Sequence, residues 1–424
     1  MNNSFSKFKH SRTEVRDTKF NMISVEEADK IILKTAQKTQ NTEGVFLTHA
    51  IGRILAEDIT ADRDFPPFDR VTMDGIAIDY IAFEAHQRRF FIENIQAAGQ
   101  KQLTLKQSNQ CIEVMTGAVL PNGCNTVIRY EDVKIEKGFA EIQIQHVDFE
   151  QNTHKQGNDR KANDILISEG TRLSAAEIGT AATVGKAVLQ VVKLPKVAII
   201  STGNELVEIG ETPEAHQIRR SNVYALAALL NDRFKIEADL YHFNDDEAEI
   251  TEGVKNILAA YDLVILSGAV SEGKYDFVPK ALTINEVTCL FHKVAQRPGK
   301  PLWFGQRISQ QGNKAVVFGL PGNPVSTFMC ACRYVLPWIE QFLMQKNSTT
   351  RYATLAEDLV FKPNLTYFLQ VKIENVNGIL TAKPVVGGGS GDLANLNDAD
   401  GFLELPIEKA TFFQGETYKF IGFR

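Results

Sequence analysis

From Lys196 to Leu343 the chain alternates short apolar runs with polar, glycine-containing loops, and this alternation restricts the fold more than any other feature. Val197-Ala198-Ile199-Ile200 is too short for a helix and apolar throughout, as a strand buried on both faces should be. A helix is expected over Asn222 to Leu230, a strand from Ile236 to His242, and a helix after Asp245-Asp246. Further strands are expected at Leu263-Val264-Ile265-Leu266, Val287 to Phe291 and Ala315-Val316-Val317-Phe318, the last leading into an apolar helix from Pro324 to Leu343. Strands alternating with helices imply a doubly wound α/β domain over residues 191–345, whose ligands sit beyond the carboxyl ends of the strands.

The flanking sequence reads differently. Ser24-Val25-Glu26-Glu27 and Ser174-Ala175-Ala176-Glu177 are capping boxes, the second opening a helix that stops near Gly185. Between them lie β-like runs at Phe90 to Ile92, Cys111 to Val114, Thr126 to Val133 and Ala140 to Ile144. A β-rich module over 62–150 is therefore expected, inserted into a discontinuous helical or mixed domain of residues 20–61 plus 151–190. After a polar linker at Gln345 to Thr350, alternation at Leu369, Val371 and Ile373 and strands at Phe402 to Leu405 and Tyr418 to Phe420 predict a barrel-like β domain over 346–424. The fold class is a multidomain α/β and β protein.

Composition narrows the partners. Among 424 residues the formal net charge is -6, so the basic surplus expected of a nucleic-acid binder is missing. Cys111, Cys124, Cys289, Cys330 and Cys332 form neither a disulfide framework nor a CxxC zinc site, which suits a reducing compartment. Met1 to Phe20 lacks an apolar signal core, and no apolar run reaches the roughly 18 residues that span a bilayer. A cytoplasmic protein without membrane partners is expected.

Four polar loops follow strands directly: Ser201-Thr202-Gly203-Asn204-Glu205, Asn244-Asp245-Asp246, Ser267 to Asp276, and Gly319-Leu320-Pro321-Gly322-Asn323-Pro324. If the strands are parallel, all four share one sheet edge. Glu205, Asp245 and Asp276 would then converge, as hard oxygen donors suited to Mg²⁺ beside phosphate. Asp245 and Asp276 equally suit helix N-caps, and Asn323-Pro324 is good helix-start chemistry without any ligand. Arg297-Pro298-Gly299-Lys300-Pro301 sets two cations around a rigid turn, fit for an oxyanion. Neither a Walker A loop nor a GxGxxG fingerprint occurs, which disfavours triphosphate hydrolysis and nicotinamide binding.

These motifs, with Phe68 to Ala77 (a form of PxFxxSAMDGYA), Met115-Thr116-Gly117-Ala118, Gly388-Gly389-Ser390-Gly391 and Ala399-Asp400-Gly401, resemble the MoeA/gephyrin family of molybdopterin molybdenumtransferases from about Met22 to Leu405. The resemblance implies an elongated homodimer that inserts molybdate into adenylylated molybdopterin, with Mg²⁺ present and AMP released. It implies catalytic roles for Asp74, Thr116, Glu205, Asp245 and Asp276, with Glu205, Asp245 and Asp276 at the metal. Substrate would be bound by Ser267, Gly268, Ser271, Arg297, Lys300, Pro321, Gly322, Asn323 and Pro324. Cofactor-pathway proteins and molybdoenzymes are the implied partners. The chain departs from the family pattern at Val71-Thr72 and Ile76, at Ala269, Glu272 and Lys274, and at Ala162-Asn163-Asp164. The alternative reading is a diverged paralogue that binds or delivers molybdopterin without catalysis, or handles another oxyanion such as tungstate.

Overall fold

The computed structural model describes residues 21–268, 277–309, 314–343, 350–385 and 387–424. The chain folds as two compact units, one of residues 44–51 and 55–190, the other comprising residues up to Glu43, 52–54 and everything from Val191 onward.

The first unit is built on a six-stranded sheet in the order Thr126–Arg129, Gly75–Ile78, Gln110–Val114, Arg89–Gln96, Phe139–Ile142, Val133–Glu136. Ile76, Ile78, Phe90, Cys111 and Ile128 fill one face, while Ala77, Ile112, Val114 and Val127 fill the other. The strand Gly75–Ile78 was not expected. Its four residues are all buried, so they show no alternation, and Asp-Gly at its start reads as a turn. Gly75 is required there because a Cβ would lie 1.9 Å from the Ile128 carbonyl oxygen of the neighbouring strand. The run expected from Thr126 to Val133 is split by a 3₁₀ turn at Tyr130–Asp132. Both capping boxes form: Ser24 accepts from the Glu27 N–H and Glu27 from the Ser24 N–H, and Ser174 and Glu177 pair in the same way.

The second unit holds the α/β sheet, in the order Asp239–Phe243, Val197–Thr202, Leu263–Ser267, Lys314–Leu320, Trp303–Ile308, Thr288–His292. The first four strands are mutually parallel. Trp303–Ile308 corrects the expected strand–helix alternation, because it runs antiparallel to both of its neighbours. Gly305 and two polar residues weaken its apolar signal. That glycine is fitted to its place: a Cβ would meet the Trp303 ring at 2.5 Å and the Thr288 carbonyl oxygen at 2.6 Å. Side chains alternate between two helical layers, as strand geometry demands. Ala198, Ile200, Val264, Leu266 and Val317 pack with helices Glu247–Ala260 and Val278–Ile284. Helices Ser221–Phe234 and Pro324–Cys330, which touch one another as well as the sheet, form the other layer.

The expected helix from Pro324 to Leu343 is not uniform. It runs as α-helix to Cys330, as π-helix over Ala331–Val335, and as α-helix again over Leu336–Phe342. Pro337 accounts for this, since it lacks an N–H and its ring crowds the carbonyl one turn back. Cys330 and Cys332 are buried here as expected, and burial pushes the Cys332 thiol up to about 12, as it does Cys111 and Cys124. None of these thiols is suited to nucleophilic work.

Beyond residue 350, strands Thr366–Val376, Ile379–Pro384, Arg351–Leu355, Thr417–Gly422 and Gly401–Leu405 pair in that order, and the last closes on the first as a five-stranded barrel. Leu369, Val371, Leu403, Leu405 and Phe412 lie inside it. Among the described residues no helix is long and apolar enough to cross a membrane.

One ion-pair system fastens the pieces of this second unit. The Arg333 guanidinium, 5% exposed, donates to both Asp29 oxygens at 2.6 Å and to Glu404 at 2.9 Å. Burial opposes its charge, but Asp29 and Glu404 more than offset that and hold it protonated. Arg333→Met should cost about 3 kcal/mol, the low end for a broken buried pair, because Asp29 loses its counterion while Glu404 keeps Lys419 at 3.6 Å. Urea unfolding followed by tryptophan fluorescence measures it. A midpoint within error of the parent chain would show that the bridge contributes little.

Candidate functional site

The four parallel strands place their loops at one edge, as the sequence reading required, and a cavity of about 510 Å³ opens there. Its walls come from Ser201 and Thr202 at the end of strand Val197–Thr202 and Glu205 after it, Ser267 and Gly268 at the end of strand Leu263–Ser267, and Pro321 to Pro324 after strand Lys314–Leu320. Gly268 has φ +93°, and its Cβ position lies 3.9 Å from the Gly322 Cα, so two loop backbones approach closely across the cavity floor.

The acids sit differently from one another. Glu205 lines the cavity, its carboxylate folded over Gly203, where a Cβ would fall 2.4 Å from Oε2. Asp245 is not the cap of the following helix. Asp246 takes that role, accepting from the Glu249 N–H at 2.8 Å. The Asp245 carboxylate instead accepts from the Asn204 N–H at 3.4 Å, and Asn204 accepts from the Asp245 N–H at 3.0 Å. This reciprocal pair ties Asp245 to the loop carrying Glu205. Asp276 and Ser271, like Ala269, Glu272 and Lys274, lie outside the described residues. Among the described residues no group of three or more His, Cys, Asp or Glu side chains is placed to hold a metal.

Asn323 occupies the N-cap position before Pro324, but its side chain donates to Ser390 at 2.9 Å rather than to its own helix. The Val325 N–H donates to the Ser390 carbonyl at 3.1 Å, which brings the glycine-rich segment and Gly391 to the cavity wall. The Arg297–Lys300 turn also reaches this edge. Trp303 registers opposite Gly319, so the connection before it stands beside the Gly319–Pro324 loop. Pro301 lines the cavity, whereas Arg297 and Lys300 are exposed and do not. The turn is tightly seated: Gly299 has φ +87°, and a Cβ there would meet the Cys330 Sγ at 2.6 Å.

Sequence reasoning missed one wall of the cavity. The N-terminus of helix Ser221–Phe234 enters the cavity through Arg220, Ser221 and Asn222. The Asn222 Nδ2 donates to the Ser267 Oγ at 2.9 Å and to the Gly322 carbonyl at 2.8 Å, cross-linking two site loops. Ser-Asn at a helix start was the available signal, but it reads as ordinary capping.

Asp74 and Thr116 belong to the other unit and form a pair of their own. Asp74 Oδ1 accepts from the Thr116 N–H at 2.6 Å and from its hydroxyl at 2.7 Å. The backbone bond first, then the hydroxyl, holds the Asp74 carboxyl below the usual carboxylate range.

Comparison with known proteins places this arrangement. Residues 23–185 match the MoeA N-terminal region (domain I and II), residues 198–341 the probable molybdopterin binding domain, and residues 352–423 the MoeA C-terminal region (domain IV). The molybdopterin molybdenumtransferase of Synechocystis is 37% identical over 94% of this chain and 99% of its own. That of Bacillus subtilis is 31% identical over 92% and 91%. The crystal structure of the molybdopterin biosynthesis moeA protein from Pyrococcus horikoshii superposes with a TM-score of 0.78 at 28% identity, covering 94% of this chain and 99% of that one. With all three regions matched in order along one α/β, β-sheet and barrel framework, the chain belongs to the MoeA family of molybdopterin molybdenumtransferases.

Proposed function

We propose that this transferase of molybdenum cofactor biosynthesis inserts molybdate into adenylylated molybdopterin and releases AMP in a Mg²⁺-dependent step. The observation that carries the reading is the single cavity into which Glu205, Ser267, Gly268 and the Pro321–Pro324 loop all open. Glu205 and the neighbouring Asp245 offer exposed hard oxygen donors on adjacent loops. Mg²⁺ is commonly held by one or two carboxylates and keeps several waters, so this donor set fits it. When bound, the ion supplies charge neutralisation to the phosphate oxygens.

The protein's own groups do the rest. Gly268 and Gly322 let the backbone approach an anion without side-chain obstruction, and the N-terminus of helix Ser221–Phe234 presents amides with no intrahelical partner. Arg297 and Lys300 stand at the same sheet edge, placed to draw in a charged substrate. Asp74, kept ionised by Thr116, orients or polarises through a fixed negative charge. Ser271 is assigned to substrate by the family resemblance, and Asp276 to the metal by that resemblance and by its place in a loop that follows a sheet strand.

Asp245→Asn should lower Mg²⁺-dependent AMP release by 10-fold or more and demand more Mg²⁺, since a carboxylate ligand is lost. The fold should survive, because Asp246 rather than Asp245 caps the helix. Turnover of purified protein with adenylylated molybdopterin and molybdate, titrated with Mg²⁺, decides it. Binding without AMP release in the parent chain would point to a delivery protein.

The homodimer implied by the family predicts complementation. Inactive Asp74→Ala and Asp245→Ala chains, mixed and allowed to exchange subunits, should recover part of the activity, because one hybrid site carries both wild-type residues. Mixed dimers that stay inactive would count against a shared site.

Lys300→Ala should raise the molybdate or cofactor concentration for half-maximal rate by about 10- to 150-fold, the worth of one charge-assisted contact. Titrating each substrate separately identifies the anion. Unchanged requirements for both would return the turn to a connecting role.

A further inference from the structure

Arg333 shows what a structural arginine looks like in this protein, since its Nε, Nη1 and Nη2 all donate to carboxylate oxygens. Arg220 does not look like that. Its side chain is 9% exposed; Nη2 donates to Glu208 Oε1 at 2.6 Å, and the guanidinium carbon lies 5.8 Å from the centre of the Tyr224 ring. Nε and Nη1 are buried and find no acceptor; among the described residues no other arginine leaves two such nitrogens unmet. The position makes this more unfavourable still. Arg220 is the N-cap residue of the 14-residue helix Ser221–Phe234 and makes no side-chain capping bond there. A helix N-terminus carries partial positive charge, so it disfavours a cation and favours an anion. Arg220 also lines the same cavity as Glu205, Gly268 and Gly322. Its one counterion is replaceable: Glu208 is half exposed, with its other oxygen accepting from the Tyr224 hydroxyl at 3.2 Å.

We propose that Arg220 is a specificity-determining anion receptor, whose guanidinium exchanges Glu208 for a tetrahedral oxyanion held jointly with the N-terminus of the Ser221–Phe234 helix. The inference rests on the function proposed above and adds to it the group that receives an oxyanion inside the cavity, distinct from Arg297 and Lys300 outside its walls. A guanidinium fork matches two oxygens of phosphate or molybdate, which a lysine point charge does not. No bond is made or broken at Arg220. It positions the oxyanion, and Glu208 returns to it when the site empties.

Phosphate of the pterin substrate and molybdate share this chemistry, and two titrations of the full-length protein separate them. Isothermal titration with molybdate alone and with adenylylated molybdopterin alone gives two dissociation constants. Arg220→Gln should raise one of them about 10-fold or more and leave the other within about twofold. Arg220→Lys should fall between. Glu208→Gln should shift the same constant the opposite way, tightening it roughly two- to fivefold by removing a competing exposed charge. A merely structural arginine would not produce opposite signs from its two partners. Should Arg220→Gln fail to fold by circular dichroism, Arg220→Lys and Glu208→Gln carry the test, and movement in the same direction overturns the proposal. No change in either constant, or equal weakening of both, overturns it as well. A parent chain that binds neither ligand defeats the function itself, whereas one that binds both while Arg220→Gln is unaltered defeats only the receptor.

Discussion

Two consecutive residues of a π-helical turn hold the larger unit together. Arg333 neutralises Asp29 on the first helix and Glu404 on a barrel strand, while Tyr334 donates its hydroxyl to the Gln296 side chain. Gln296 is fully buried and donates onward to the Gly299 carbonyl at 3.0 Å, inside the Arg297–Lys300 turn. Gln296 and Arg297 also pair in parallel with Thr366 and Tyr367 of the barrel. The interruption of the helix therefore has a use. In a regular α-helix neighbouring residues point about 100° apart; the π turn sets Arg333 and Tyr334 among three separate elements at once. Such buried polar networks are valuable only when every member is satisfied, and Arg333 and Gln296 are.

This anchoring bears directly on the cavity. Its floor belongs to the α/β sheet, but Gly391 and the Ser390 contacts to Asn323 and Val325 come from the segment leading into the last barrel strands. Barrel and sheet must keep their relation for that wall to exist. The close approach of Gly268 and Gly322 has the same character, since any side chain at either position would narrow the space an anion needs. Stability from the Arg333 system thus becomes precision at the cavity, whose wall includes the start of the same helical run at Pro324.

The α/β domain was legible because buried parallel strands write themselves as uninterrupted apolar runs, and because the loops after them were conspicuously polar. That the described ends of these loops share one sheet edge followed from parallel direction alone. What escaped had physical reasons. Gly75–Ile78 is too short and too evenly buried to alternate, and Trp303–Ile308 hides its strand character behind Gly305, Gln306 and Arg307. The π segment depends on Pro337 acting on residues before it, which a periodicity count cannot register. Asp245 was weighed as a cap because Asp precedes a helix there, yet two aspartates precede it, and only geometry tells which one caps. Arg220 was invisible for a deeper reason: an arginine's significance lies in which of its donors lack partners, and no sequence pattern records that.

The departures from the family pattern take on different weights once their surroundings are known. Ile76 stands where a tyrosine is usual, but it is fully buried in the sheet core that also holds Ile128 and Phe90, so the change is one of packing and leaves the preceding Asp74–Thr116 pair intact. Asn163 stands where an acid is usual, and its backbone has φ +70°, a left-handed conformation that asparagine tolerates better than most residues. Around it Asp164 accepts from the Lys161 N–H at 2.7 Å and Asp64 from the Ala162 N–H at 2.9 Å, so the turn is closed by its own carboxylates and Asn163 serves its shape. Neither substitution removes a charge from the cavity. Divergence in this chain is thus absorbed by core and turn at the positions that can be seen. Arg220, the buried arginine at a helix N-terminus in the cavity wall, lies in a stretch where no motif drew attention to it.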